Sequence, residues 1–271
     1  MANLALDPDR YRTDHAQLRS HTHAVEADCL AVLQGFRSHS LNEQSAVDLA
    51  DRIDTKYVMP IRLLLPLLQA SVAEHTVLQS VGQRIFTYEN TYFDTPGWDL
   101  YLNHHNGKLS RHKYRFRRYH ETDVSYLEMK LKNNKRRTVK TRLTLHRGQP
   151  AADLAETAVA ARLYVNYRRM TLWNHLTDSR VTLDYDLCFR RPHQAKTVRL
   201  EDVFIAEHKR HGNAYNSTFY RLVKGYGYLP QSFSKYCIGV CLTDEGALKH
   251  NRFKSVLRKL GQIRSNGEVV R

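Results

Sequence analysis

Basic and apolar residues alternate one by one in the middle of the chain. From Arg111 to Arg117, every second residue is Lys or Arg, and His112, Tyr114 and Phe116 stand between them. Successive side chains of a β-strand point to opposite faces, so this period of two predicts a strand with one cationic face. Alternating or β-rich segments predict eight strands in all, over residues 52–59, 84–93, 109–119, 125–132, 137–145, 164–173, 180–190 and 199–210.

The segments between these strands indicate the class of sheet. Short polar turns follow several strands, such as Glu121-Thr122-Asp123, and this is typical of an antiparallel meander. Helical patterns stand between other strands, but they do not follow every strand as they would in a parallel sheet. The chain is therefore expected to form an α+β fold with a mainly antiparallel sheet or barrel.

The net charge limits the kinds of partner. The chain has 42 Lys and Arg against 27 Asp and Glu, which gives a net charge of +15. Residues 111–147 alone hold thirteen basic and three acidic residues, an excess of ten, so the charge is concentrated there. A protein this basic usually binds an anion, such as nucleic acid, anionic lipid or a phosphorylated small molecule.

Other features exclude several classes of protein. The mean hydropathy is −0.57, and no apolar stretch is long enough for a transmembrane helix. Asp7, Asp9 and Arg10 stand where a signal peptide would be apolar, and four cysteines do not make a disulfide scaffold. A cytoplasmic location is therefore expected. The glycine patterns of nucleotide-binding loops and the Cys/His spacing of zinc sites are not found.

Five predicted strands place charged residues on one face, among them Arg115, Lys130 and Lys140. The simplest interpretation is a face that points to solvent. Like charges on neighbouring strands repel each other, however, and a bound anion would neutralise them. Glu128 and Glu207 interrupt the cations with oxygen ligands of the kind that a divalent metal prefers. The pattern therefore predicts either a solvated face or a site for a polyphosphate and a metal.

Nine short motifs occur in an order that resembles the VTC domain, the polyphosphate polymerase branch of the triphosphate tunnel metalloenzymes. The motifs are RIDTKY at 52–57, YFDTP at 92–96, KYRFR at 113–117, LEMK at 127–130, KTR at 140–142, YRR at 167–169, LD at 183–184, EHK at 207–209 and SFSKY at 232–236. The resemblance covers residues 33–242. The layout is similar to that of the bacterial stand-alone members of the family.

The resemblance implies a fold, an activity and a set of site residues. The fold is an antiparallel eight-stranded barrel around a basic tunnel, with helices packed outside it. The implied activity transfers the γ-phosphate of ATP to a growing inorganic polyphosphate chain with Mn²⁺ or Mg²⁺. The implied phosphate-holding residues are Lys56, Arg115, Arg117, Lys130, Lys140, Arg169 and Lys235. Lys113, Arg142 and Lys209 are further candidate substrate contacts, and Glu207 and Glu128, with Asp184 nearby, are the candidate metal ligands.

Two positions depart from the pattern of the family. The first strand carries Arg52 and Asp54 before Lys56, whereas the wider tunnel superfamily has paired glutamates there. Ser232 stands where the eukaryotic polymerases have lysine. The alternative hypotheses are a non-catalytic module that binds polyphosphate or inositol phosphates and a triphosphatase on the same fold, which the missing glutamate pair disfavours. Nucleic acid is a less favoured partner, because Tyr114 lies opposite the cations and not among them.

The chain divides into three predicted parts: an extension over 1–30, the VTC-like domain over 31–243 and a basic amphipathic tail over 244–271. The tail has six basic residues and no acidic residue between Lys249 and Arg264. Phe253, Val256 and Leu260 recur at helical spacing. Two hypotheses account for this helix: its apolar stripe packs onto the barrel, or it docks on an anionic membrane surface or on polyphosphate.

Overall fold

The computed structural model describes residues 23–46, 53–135, 138–145, 159–211 and 217–268. The strands in these ranges are β1 (Arg37–His39), β2 (Ile53–Pro60), β3 (Thr76–Leu78), β4 (Phe86–Asp94), β5 (Arg111–Tyr119), β6 (Val124–Lys132), β7 (Thr138–Leu145), β8 (Ala160–Asn174), β9 (Ser179–Arg190) and β10 (Thr197–Arg210). The helices are α1 (His23–Gln34), α2 (Leu41–Ala46), α3 (Leu64–Ser71), α4 (Asp99–His105), α5 (Thr218–Gly225), α6 (Lys235–Thr243) and α7 (Lys254–Glu268).

The eight predicted strands form one antiparallel path in the order β2-β10-β9-β8-β4-β5-β6-β7. The short β1 and β3 were not predicted; β3 pairs with β8, and β1 runs parallel to β3. The α+β class and the antiparallel sheet are thus confirmed. The closed eight-stranded barrel is wrong: the sheet has ten strands and is open, because β2 and β7 do not pair with each other within the described residues. Alternation assigns side chains to faces, but it does not say which strands pair at the edges.

The two faces of the sheet have different cores. We call the face that carries Arg115, Arg169 and Glu207 the inner face. Apolar residues of β8, β9 and β10, such as Met170 and Phe204, point to the opposite, outer face, which α1, α3 and α5 cover. Burial of this outer layer is consistent with the alternation in β8 and β10, where Met170 follows Arg169 and Phe204 and Ala206 alternate with Ile205 and Glu207.

The expectation that helices pack only outside the sheet needs correction, since α6 lies on the inner face. A Cβ at Gly239 would stand 2.4 Å from Phe189 and 2.7 Å from Leu163, so glycine is required for this close approach. Leu163 shares its face with Arg169, six residues further along β8. The helix therefore fills one end of the inner face, and its first residue, Lys235, reaches the space beside it.

The two predicted terminal parts both contact the folded unit. Cys29 and Leu33 of α1 are buried under the outer face, so residues 23–30 belong to this layer; residues 1–22 of the predicted extension lie outside the described residues. In the tail, Phe253, Val256 and Leu260 are buried in the inner core. The apolar stripe of α7 therefore packs onto the sheet, and it is not available to a membrane. No helix in the described ranges is long and apolar enough to cross a bilayer.

Candidate active site

A cavity of about 860 Å³ lies against the inner face of the sheet. Among its lining residues, thirteen are Lys or Arg and three are Asp or Glu, an excess of ten basic residues. The lining includes all twelve site residues expected from the sequence: Lys56, Lys113, Arg115, Arg117, Glu128, Lys130, Lys140, Arg142, Arg169, Glu207, Lys209 and Lys235. The charged face thus lines a cavity, although Lys140 and Arg142 on β7 remain partly exposed.

Strand register sorts the cations of β5, β6 and β7 into two rows. In one row, Glu128 lies between its direct partners Arg115 and Arg142. In the next row, Lys130 lies between Lys113 and Lys140. Directly opposed side chains are about 5 Å apart at Cβ, so the first row is neutralised in part, whereas the second row holds three basic residues and no carboxylate.

Glu128 is the anionic centre of the first row, and its side chain has no exposed surface. It forms ion pairs with Arg115, with Lys140 at 2.7 Å and with Arg142 at 2.7 Å. Burial raises the pKa of this carboxyl, but Arg115, Arg117 and Lys140 outweigh that effect and hold the pKa far below its usual range. Both carboxylate oxygens of Glu128 are therefore occupied by cations of the neighbouring strands.

Asp184 organises a second group of cations, and sequence reasoning gave it only a minor role. It binds Lys235 of α6 and accepts a hydrogen bond from Arg169 Nη2 at 2.8 Å. Burial alone would raise the pKa of Asp184, but Arg169 and Lys235 lower it to about 2. This carboxylate joins the start of α6 to β8, so it fixes two of the cations expected to hold phosphate.

Glu207 is another carboxylate of the cavity lining, and it is more accessible to a metal than Glu128 is. It forms an ion pair with Lys209, and it lies opposite Lys56 in the strand register. Its side chain is 16% exposed, whereas that of Glu128 has no exposed surface. Burial is outweighed by Lys56 and Lys209, which keep the pKa of Glu207 well below its usual range, so the group is an anion.

The donor set limits the kind of metal site. Within the described ranges, no three His, Cys, Asp or Glu side chains form a cluster that could hold a metal. Mg²⁺ usually keeps several waters and binds one or two carboxylates together with substrate phosphates. Glu207 fits that arrangement, because its carboxylate lines the cavity. Glu128 does not fit it, because its oxygens already bind three cations.

Some cavity cations have no carboxylate partner in the described chain. Lys130 has neither a hydrogen bond nor an ion pair there, and the neighbouring Arg115, followed by burial, lowers its pKa to about 6. Arg117 is buried and donates only to neutral groups, the Asn90 side-chain oxygen at 2.9 Å and the Tyr167 hydroxyl at 3.0 Å. These cations point at a space in which an anion would relieve their mutual repulsion.

We expect an anion bound in the cavity to be taken up together with a proton on Lys130. In the protein without a ligand, Lys130 has a pKa of about 6. A phosphate bound beside it would raise this pKa towards the ordinary value of lysine. At pH 7.5, Lys130 is therefore neutral in the ligand-free protein and charged in the complex. Affinity should then fall by up to about tenfold per pH unit above pH 6. Calorimetry of tripolyphosphate binding in buffers of different ionisation enthalpy measures this uptake, and an equal uptake by Lys130→Met would contradict it.

Tyrosines of β4 and β8 form part of the cavity wall, and sequence reasoning missed them. The guanidinium of Arg169 lies 4.6 Å from the centre of the Tyr88 ring, and that of Arg117 lies 5.0 Å from it. Tyr92 accepts a hydrogen bond from Arg115 at 3.3 Å. The available signal was the period-two spacing of Tyr88, Asn90 and Tyr92, which places these side chains on the inner face.

Comparison with known proteins gives structural neighbours at low sequence identity. A putative adenylate cyclase from Vibrio parahaemolyticus is 14% identical, with a TM-score of 0.45 over 69% of this chain and 97% of that one. A putative adenylyl cyclase from Hippeastrum with a dominant triphosphatase activity is 12% identical, with a TM-score of 0.47 over 72% and 98%. Both TM-scores are below 0.5, so these neighbours do not bear on function. No curated protein matches the sequence.

A match to a family model assigns the chain to a family, which the structural neighbours do not. The model of the VTC domain matches residues 51–160 and 153–243. These segments contain every strand that contributes a cation to the cavity, from β2 to β10, and also the first residues of α6. The match covers well over half of the chain, and on that ground the chain belongs to the VTC domain family.

Proposed function

We propose that the protein transfers the γ-phosphate of ATP to a growing inorganic polyphosphate chain inside the cation-lined cavity. The observation that carries this proposal is the excess of ten basic over acidic residues around a cavity of about 860 Å³, which gives its lining a strong positive charge. An uncharged or singly charged ligand would leave most of that charge unbalanced. A chain of phosphates supplies one negative charge or more at each unit, so it matches the lining over its whole length.

The side chains have distinct parts in this reaction. Arg115, Arg117 and Arg169 present planar guanidinium groups, which grip phosphate oxygens with two parallel hydrogen bonds. Lys130 and Lys235 act as point charges at the positions that their strand and helix fix. Phosphoryl transfer needs positioning and charge neutralisation more than covalent chemistry, and a rigid cationic wall supplies both.

Glu207 is the residue that we propose to hold a Mn²⁺ or Mg²⁺ ion. Its carboxylate lines the cavity, and the remaining ligands would come from the substrate phosphates and water. A bound divalent metal supplies charge stabilisation at the transferred phosphate. Glu128 instead acts on the cations: by binding Arg115, Lys140 and Arg142, it keeps their charged groups in fixed positions.

Glu207→Gln should lower metal-dependent turnover by about 100-fold or more, since the metal's charge stabilisation is worth several kcal/mol. Binding of ATP measured without metal should be kept or strengthened, because one negative charge leaves the cavity. Asp54→Asn is the matched control, since Asp54 also lies in the cavity wall and contacts Lys209 at 3.5 Å. If Glu207→Gln keeps the metal response of the wild type, Glu207 is only the ion-pair partner of Lys209.

Product analysis separates the proposed activity from its alternatives. Purified protein is incubated with ATP and Mn²⁺, and the products are resolved into acid-stable polymer, free phosphate and ADP. Polymer together with ADP supports the polymerase. Free phosphate without polymer indicates a triphosphatase, and tight binding of polyphosphate or inositol hexakisphosphate without turnover indicates a binding module. Either of the last two results would overturn the proposal.

A further inference from the structure

A cation from the C-terminal part of the chain lies beside the end of the cavity where β5 begins. Arg252 belongs to a single 3-10 turn, Asn251–Phe253, directly before α7. Its guanidinium lies over Gly107, where a Cβ would stand only 2.9 Å from Arg252 Nη1. Gly107 also has a φ of +75°. Glycine at this position therefore provides both the backbone conformation and the space for the guanidinium.

The backbone that carries Arg252 is held in place from both sides. Phe253 is buried, and its ring lies 5.8 Å from that of His104 and 6.0 Å from that of Tyr101. The Tyr101 hydroxyl donates a hydrogen bond of 2.7 Å to the carbonyl oxygen of Lys249. Arg252 is consequently an exposed side chain on a fixed support and not part of a free tail.

The charge of Arg252 adds to that of the cavity. Arg111 lines the cavity, and burial together with the nearby charge of Arg252 lowers its pKa. Arg111 Nη1 donates to the Lys108 carbonyl oxygen at 2.8 Å. In the part of the chain that the structure describes, neither guanidinium forms an ion pair. Two such cations side by side repel each other unless an anion lies between them.

We propose that Arg111 and Arg252 form a phosphate subsite at this end of the cavity, which holds the part of a polyphosphate chain that extends beyond the cavity lining. This subsite rests on the proposed function of the cavity. Arg111 lines the cavity and Arg252 stands outside its lining, so a ligand that contacts both extends beyond the lining at this end. The aromatic rings beside the subsite, Phe253 and Tyr101, are buried, so they offer no face for base stacking. Inorganic polyphosphate therefore fits better than a single-stranded nucleic acid.

The test compares two phosphate chains of different length on the full-length protein. Dissociation constants for tripolyphosphate and for long-chain polyphosphate are measured as a function of salt concentration, for the wild type and for Arg252→Ala. Arg252→Ala should lower the affinity for the long chain by about tenfold relative to the affinity for tripolyphosphate, as for the loss of one charge-assisted contact. The slope of log affinity against log salt concentration for the long chain should fall by roughly the amount expected for one phosphate contact. Arg258→Ala removes an equally exposed arginine from the same segment and should leave the ratio of the two affinities unchanged.

Each result decides a separate point. If Arg252→Ala leaves the affinity ratio at its wild-type value, or if Arg258→Ala changes the ratio equally, the subsite is wrong while the proposed function of the cavity stands. If the wild type binds neither chain, the proposed function fails and the subsite fails with it. If a single-stranded oligonucleotide binds as tightly as polyphosphate, with the same dependence on Arg252, the assignment to polyphosphate is overturned.

Discussion

Glu128→Gln should lower the free energy of unfolding by about 3 kcal/mol in the absence of a phosphate ligand, since removing one partner of a buried ion pair typically costs this much. The side chain has no exposed surface, and three cations bind it from β5 and β7. The amide is nearly the same size, so the loss is electrostatic: Arg115, Lys140 and Arg142 would face one another without the carboxylate between them. For a domain of this length, the expected fall in Tm is roughly 6–12 °C.

The same variant distinguishes an anionic support from a metal ligand. Saturating tripolyphosphate should restore part of the lost stability, because its charges replace that of the carboxylate among the cations. Glu245→Gln, at an exposed position on the loop after α6, is the control and should leave Tm unchanged. A Glu128→Gln protein as stable as the wild type without metal, but with a weakened response to Mn²⁺, would show that Glu128 binds the metal instead.

Lys130→Ala should lower turnover by about 100-fold or more, which is the usual effect of removing one preorganised donor from a charge-stabilising site. Its stability should be equal to that of the wild type or higher. Lys130 has no hydrogen bond or ion pair among the described residues, and Arg115 and Arg117 both disfavour its charged form. Removing it leaves no carboxylate unpaired, so activity and stability are expected to change independently.

Two further variants make this result specific. Lys135→Ala removes a lysine from the exposed turn that follows β6 and should keep full turnover and Tm. Arg115→Ala is expected to lose both activity and stability, because it leaves the buried carboxylate of Glu128 with one partner fewer. A Lys130→Ala protein with wild-type turnover, or one that unfolds at a much lower temperature, would contradict the assigned position of this lysine in the phosphate path.

The period of the sequence was sufficient to predict that basic side chains of β5, β6 and β7 share one face. Arg115, Lys130 and Lys140 lie on three successive strands, and alternation alone places each on the face that the structure shows. Alternation is a local property of the sequence, so it correctly predicts the face of each side chain wherever one face of the strand is apolar and buried. It also indicated that carboxylates interrupt the cations, but it gave no information on whether those carboxylates bind metal or neighbouring side chains.

The remaining features depend on contacts between distant parts of the chain. The position of α6 on the inner face follows from Gly239 packing on Leu163 and Phe189, and the spacing of residues in the helix carries no sign of it. Asp184 joins Arg169 to Lys235, and Lys235 follows Asp184 by 51 residues along the chain. The burial of α7 and the open edges of the sheet are likewise tertiary outcomes. The residue pattern therefore left two hypotheses for the tail and left sheet or barrel open, and the closed barrel that the resemblance implied is wrong.

We propose that the cavity on the inner face of the sheet holds a chain of phosphates, and a crystal structure of the protein with bound tripolyphosphate would show where the chain binds. The phosphates are expected to lie in the cavity, with oxygens within hydrogen-bonding distance of Lys130, Arg117 and Arg169. A chain bound on the outer face or along the exposed side of α7, with the cavity free of phosphate, would contradict it.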